Sequence, residues 1–183
     1  MNSYLESIKK QFLYYKMLGE KAMEQLTEEQ LFWQYNEESN SIAILVNHIA
    51  GNMLSRFTDF LTTDGEKGCR NRDAEFTNSF LNKTEMMNYW NKGWECLLTT
   101  LEQLSEKDLE KIIYIRNDGH TVVEAINRQL AHYPYHIGQM VFIAKMLKNE
   151  AWNTLSIARN KSGDYNNRKF SQEKSKRHYT DDL

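Results

Sequence analysis

Apolar side chains recur every three or four positions in four stretches of the chain, the spacing of one face of an α-helix. In the first stretch Leu5, Ile8, Phe12, Tyr15, Leu18 and Ala22 share that face. Thr27-Glu28-Glu29-Gln30 then reads as a capping box, opening a short helical turn that ends before Asn36. A second helix is predicted from near Ser41 to about Thr62, with Ile42, Leu45, Ile49, Met53, Phe57 and Phe60 inward. The third, from about Thr84 to Leu104, turns Met87, Trp90, Trp94, Leu97, Leu101 and Leu104 inward. These alternate threes and fours without a break, as bundle packing requires. The fourth begins near Thr121 and runs to about Asn149 on a stripe of Val122, Ile126, Leu130, Tyr133, Ile137, Met140, Ala144 and Leu147.

Between the helices two segments break the pattern. Residues 111–120, KIIYIRNDGH, mix β-branched positions with an Asn-Asp-Gly turn and read as a short extended segment or hairpin. The link from Thr63 to Lys83 is longer than most bundle connections, and loops of that length are usually functional, mobile or locally structured. The expected fold class is therefore all-α, a four-helix bundle with one long crossover. It occupies residues 1–155, followed by a polar tail over 156–183 whose end, from about Ser171, is expected to be disordered or fastened by a partner.

Composition changes this picture little. One domain of 183 residues buries enough surface to fold without a disulfide or structural metal. One Pro and eight Gly favour long helices over many turns. A net charge of −2 gives no reason to expect nucleic acid or a membrane as partner. Cys69 and Cys96 stand far apart in no CxxC pattern, so free thiols in a reducing compartment are expected. With neither a signal-peptide core nor a membrane-length apolar run, the expected address is the cytoplasm.

The chemistry worth testing lies in the histidines. His132 and His136 are one turn apart in HYPYH, close enough on one face to converge on a single ion. His136 lies between Tyr133 and Met140 of the apolar stripe and should point inward. His48 sits on the second helix, with small Gly51 and Ser55 leaving space on its C-terminal side. An inward histidine is more often a hydrogen-bonded core residue, and spacing alone cannot bring His48 to the pair. His120, after a turn, and His178, in the polar tail, compete less well. Pro134 lies between the paired histidines; a kink would keep them convergent and a full break would separate them. The stripe continues in register through Ile137 and Met140, which favours the kink.

A histidine in LVNHIAGN on the second helix and the HxxxH pair in AHYPYHIGQ on the fourth resemble the metal triad of the DinB-like (YfiT-type) superfamily. Those proteins are bacterial four-helix bundles regarded as metalloenzymes. The loop GEKGCRNRDAEF and the segment WNTLSIARNKSGDYN look like a narrower branch of unassigned function. The resemblance implies one divalent metal ion, zinc or nickel, held by His48, His132 and His136 with an open coordination position. A three-ligand site is the catalytic rather than the closed structural pattern. It further implies activation of a thiol or water for transfer or hydrolysis on a small molecule, with a low-molecular-weight thiol as a candidate substrate. A homodimer is plausible on the same grounds.

Around this triad, Asn52, Tyr135 and Gln139 could hydrogen-bond a metal-bound ligand or serve as ordinary interhelical contacts. Trp90 and Trp94 fit core packing better than a substrate wall. Arg70, Asn71, Arg72, Asp73 and Glu75 could bind an anionic substrate, yet their mixed signs favour a self-paired loop anchored by Phe76. Cys69 shows no base partner nearby in sequence and reads as a free loop thiol. No Asp or Glu stands at a spacing that places it by the metal. Beside the metal-dependent enzyme stand two other readings, a non-catalytic metal-binding or stress-response bundle and a purely structural dimerisation module.

Overall fold

Each periodic stretch folds as a long helix in the computed structural model, which describes residues 3–181. The helices are α1 Ser3–Glu24, α2 Glu28–Phe32, α3 Ile42–Phe57, α4 Lys83–Gln103, α5 Val122–Lys148 and α6 Ser162–Phe170. An antiparallel hairpin, β1 Ile112–Ile115 and β2 Asp118–Thr121, is the only sheet among the described residues. The chain is thus mostly helical, as its periodicity predicts. No helix among the described residues is long and apolar enough to cross a membrane.

The helix starts are set by side chains that satisfy otherwise unpaired amides. Thr27 and Gln30 form the predicted capping box, the Gln30 amide donating to Thr27 Oγ1 at 3.3 Å and the Thr27 amide to Gln30 Oε1 at 3.1 Å. Ser41 caps α3, Asn82 caps α4, and a second capping box of Thr121 and Glu124 opens α5. The second helix was predicted to reach Thr62 but stops at Phe57. Asp59 adopts a left-handed φ of 48° and turns the chain there. Phe60 still reaches the core by stacking on Phe57, which is why its periodic position mimics a longer helix.

Helix α3 packs on α4 and α1 on α5, while contacts of α3 with α5 and of α1 with α4 close the core. Phe12, Trp94 and Tyr133 meet there with ring centroids 6.1–6.4 Å apart. Trp90 and Trp94 are fully buried core residues, not the wall of a site. Burying aromatic side chains of this size stabilises by about 3 kcal/mol each. Helix α5 runs unbroken through Pro134, so the feared separation of its two histidines does not occur.

The hairpin differs in register from its sequence signature. The tight turn is at Arg116-Asn117, both left-handed with φ of 56° and 65°, while Asp118 and Gly119 belong to β2. Two successive residues with positive φ are what a type I′ hairpin turn requires. The turn is fixed from outside: the Asp64 carboxylate accepts the amides of Arg116 and Asn117, each at 2.9 Å. These amides, with that of Glu66, hold Asp64 well below the usual carboxylate range. Next to it the Gly65 amide donates to Tyr114 O at 2.8 Å, and Gly65 O accepts from Ser55 and Arg56 of α3. The long crossover is therefore pinned to both hairpin and helix, and its 3-10 turn, Asp73–Phe76, lies on α3. Beyond Trp152 the chain forms α6, and His178 and Asp181 meet Ser7 and Lys10 of α1.

Helices α3 and α4 touch at Gly93, where an added Cβ would lie 2.8 Å from Ala50 Cα. Backbone cannot yield as a flexible side chain would. Gly93→Ala should therefore lower the unfolding free energy by about 1–2 kcal/mol, overpacking outweighing the gain in helix propensity. A urea titration measures this, and an unchanged or raised midpoint would refute the close approach.

Candidate metal centre

Unbroken α5 places His132 and His136 one above the other, with their Nε2 atoms 3.0 Å apart. Helix α3 brings His48 across, its Nε2 3.2 Å from that of His132. One ligand atom from each of the three lies within 4.8 Å of the others, so the cluster could hold a metal ion. His48 and His136 are buried and His132 is half-buried. Around an ion with metal–nitrogen bonds of 2.0–2.1 Å, neighbouring nitrogens stand about 2.9 Å apart at right angles and about 3.4 Å apart in a tetrahedron. The observed spacings fall inside that range.

The far side of two rings fixes which nitrogen faces inward. His48 Nδ1 lies 2.9 Å from Glu75 Oε2, and His136 Nδ1 lies 2.9 Å from Gln139 Oε1. Both partners are acceptors, so each Nδ1 carries the proton and each Nε2 presents its lone pair to the centre. His132 Nε2 faces both of the other nitrogens at 3.0 and 3.2 Å, and an Nε2–H there could satisfy only one of them. A cation satisfies all three. Oxygen acceptors behind ligating imidazoles are the usual means of orienting and strengthening them.

Electrostatics favours the neutral form of the two α5 rings. Burial first, then the neighbouring His136 and His48 rings, push His132 down to about 3. Burial also lowers His136, more than its bond to Gln139 raises it. Glu75 is the anionic member. Burial works against its charge, but the hydrogen bonds from His48 and Arg70 outweigh this and hold its carboxyl below the usual range. Arg70 grips Glu75 with two parallel bonds, Nε to Oε1 at 2.7 Å and Nη2 to Oε2 at 2.8 Å. The space beside His48 and Gly51, expected to be free, is filled by this carboxylate, since a Cβ on Gly51 would lie 2.6 Å from Glu75 Oε1.

The histidines open on a cavity of about 430 Å³ whose wall includes Asn52, Tyr135 and Phe76. Asn52 accepts a hydrogen bond from the buried Tyr133 hydroxyl at 3.0 Å, an interhelical contact. Tyr135 is exposed at the rim, its ring 4.9 Å from that of His136, while Gln139 bonds His136 directly. The crossover is self-paired through Arg70 and Glu75, and Phe76 anchors it by stacking 4.7 Å from the His48 ring. Asn71 caps the 3-10 turn by accepting the Ala74 amide, and exposed Asp73 opens that turn. Cys69 is an exposed free thiol on a different cavity, His120 lies on the hairpin, and His178 binds Ser7.

Sequence reasoning missed Glu75 as the partner of His48, because a loop carboxylate 27 positions away has no helical spacing to betray it. It also missed four residues of the cavity wall: Arg56, Arg116, Arg128 and Gln129. Two of these were legible. His48, Asn52 and Arg56 form one stripe of α3, and Arg128, His132 and His136 one stripe of α5, each stepping by four.

Residues 1–161 match the family described as "Protein of unknown function (DUF1572)". The chain belongs to this family. The match includes all three histidines, Glu75 and Gln139, and ends immediately before α6. No curated protein matches this DUF1572 member.

The depressed imidazole has a consequence for stability. Below about 6.5 an unfolded chain protonates His132, whereas the folded chain refuses that proton until about 3. Between those values the unfolded state binds more protons, so stability is full above the window and is lost as pH falls through it. Metal-free protein should show a urea midpoint that drops between about pH 7.5 and pH 4.5, by less in His132→Gln. An equal drop in the two proteins would contradict the burial of a neutral His132.

Proposed function

We propose that this chain is a DinB-like four-helix-bundle protein whose His48, His132 and His136 hold one divalent metal ion, zinc or nickel, for chemistry on a small molecule. The observation that carries the reading is the convergence of three imidazoles, with His132 Nε2 3.2 Å from His48 Nε2 and 3.0 Å from His136 Nε2, all three ligand atoms within 4.8 Å, and oxygen acceptors behind two of the rings. A bundle of α1, α3, α4 and α5 is supported by the contacts among those four helices. Neutral imidazoles suit zinc and nickel, and three protein ligands leave a position for water or substrate. When bound, such an ion would draw the pKa of a coordinated water towards about 7 and hold a coordinated thiol as thiolate.

The chain's own residues do the rest. Glu75 and Gln139 hold two imidazoles in the ligating tautomer, and Arg70 fixes Glu75 in turn. Phe76 shields one side of His48 from water. The positive charges of Arg56 and Arg70 in the same wall favour the deprotonated form of a thiol or water entering the cavity. Transfer of a low-molecular-weight thiol, or hydrolysis, on a small molecule in the cytoplasm is the activity this reading implies.

Elemental analysis of tag-free protein is the test. Wild type should carry about one ion per chain, and a His132→Ala, His136→Ala double variant none. Glu75→Gln should keep the fold and bind the metal about 10–100-fold more weakly in a chelator competition, because its amide is a poorer acceptor for His48. Wild-type protein without metal after reconstitution with zinc and nickel would refute the reading.

A further inference from the structure

Five arginines line the metal cavity: Arg56, Arg70, Arg72, Arg116 and Arg128. Only two carboxylates reach them among the described residues. Glu66 pairs with Arg56 at 2.9 Å and with Arg70 and Arg116 at 3.2 Å, and Glu75 pairs with Arg70. Five guanidinium charges set against these two paired carboxylates and the nearby Asp64, whose charge also acts on Arg56, leave two positive charges in excess, before any ion is counted. The chain as a whole carries −2, so this concentration is local to the cavity.

The arginines divide by role. Arg56 and Arg70 are held by the crossover and shape the wall. Arg72 and Arg128 are exposed and make no ion pair among the described residues. Arg72 lies over Phe76, 5.1 Å from its centroid, and Phe76 in turn stacks on His48. Arg128 stands one turn before His132 on the same face of α5. Two free guanidinium groups thus flank the histidines, one on the crossover and one on the helix. Gln129 adds an independent sign of a guest, one that carries a hydroxyl or amide donor beside its anionic group. It is 3% exposed, lines the same cavity, and its Oε1 has no hydrogen-bond donor in the protein.

We propose that the substrate of this centre is a small oxyanion-bearing molecule, its carboxylate or phosphate group held by Arg72 and Arg128 while the rest of it reaches the metal position. The proposal rests on the metal reading above. A guanidinium fork matches the paired oxygens of either anion, and a cavity of this size takes a molecule of a few carbons rather than a polymer. The uncompensated charge also attracts anions from a distance, an effect that weakens with added salt.

Calorimetric titration of the zinc-loaded full-length protein with succinate, methyl phosphate and the uncharged succinamide tests this, with zinc content measured on the same sample. At least one of the two anions should bind about tenfold or more tightly than succinamide, and the tighter one identifies the oxyanion. An Arg72→Gln, Arg128→Gln variant should lose that advantage with its zinc content unchanged. Both substitutions are at exposed positions outside the core. Loaded protein that binds neither anion better than succinamide, or a variant that keeps the full preference, would overturn the anion site and leave the metal centre standing. Wild-type protein that takes up no zinc would overturn the metal reading and this proposal with it.

Discussion

Glu75 joins the parts of this molecule that sequence keeps apart. Its carboxylate is buried, which costs several kcal/mol unless the charge is paired and hydrogen-bonded. Arg70 supplies two bonds and His48 a third. Arg70 also reaches Glu66, which ties Arg56 of α3 and Arg116 of the hairpin turn into the same network. Crossover, hairpin and helix are thereby locked together, and the imidazole of His48 is locked with them. All this fits only because position 51 is glycine, the one residue without an atom where Glu75 Oε1 must lie.

The site is made by opposing demands on the same few residues. The triad must stay neutral to offer lone pairs, and burial together with mutual repulsion sees to that for His132. Behind it, hydrogen-bond acceptors keep the protons of His48 and His136 on the outer nitrogens. In front, a wall rich in guanidinium groups favours negative charge in whatever enters. With neutral ligands beneath a positive rim, an anionic guest becomes the counter-charge to both the dication and the guanidinium groups.

Much of this was legible in the sequence, and the limits have physical reasons. Helical periodicity located all four long helices because each buries one continuous face, and it showed that Pro134 need not disrupt the stripe carrying Tyr133, Ile137 and Met140. It overran α3 because Phe60 packs into the core from a turn, where it looks like one more helical position. The hairpin was foreseen but its turn misplaced, since the Asp64 side chain, not local Asn-Asp-Gly chemistry, decides which two residues go left-handed. The HxxxH pair could be read from spacing, whereas its union with His48 could not, being a property of how α3 packs on α5. Glu75 was hidden for the same reason: loop residues carry no period, and only the fold brings them home. Arg56 and Arg128 continue the histidine stripes at the same four-residue step, so spacing alone could have found them.

X-ray absorption at the zinc edge of reconstituted, tag-free protein tests the central claim most directly. Three imidazole nitrogens and one further oxygen or nitrogen donor at about 2.0–2.1 Å, with the multiple-scattering signature of histidine rings, are the predicted shell. In thiol-free buffer, a shell containing sulfur, or one of water oxygens without imidazole scattering, would contradict the account.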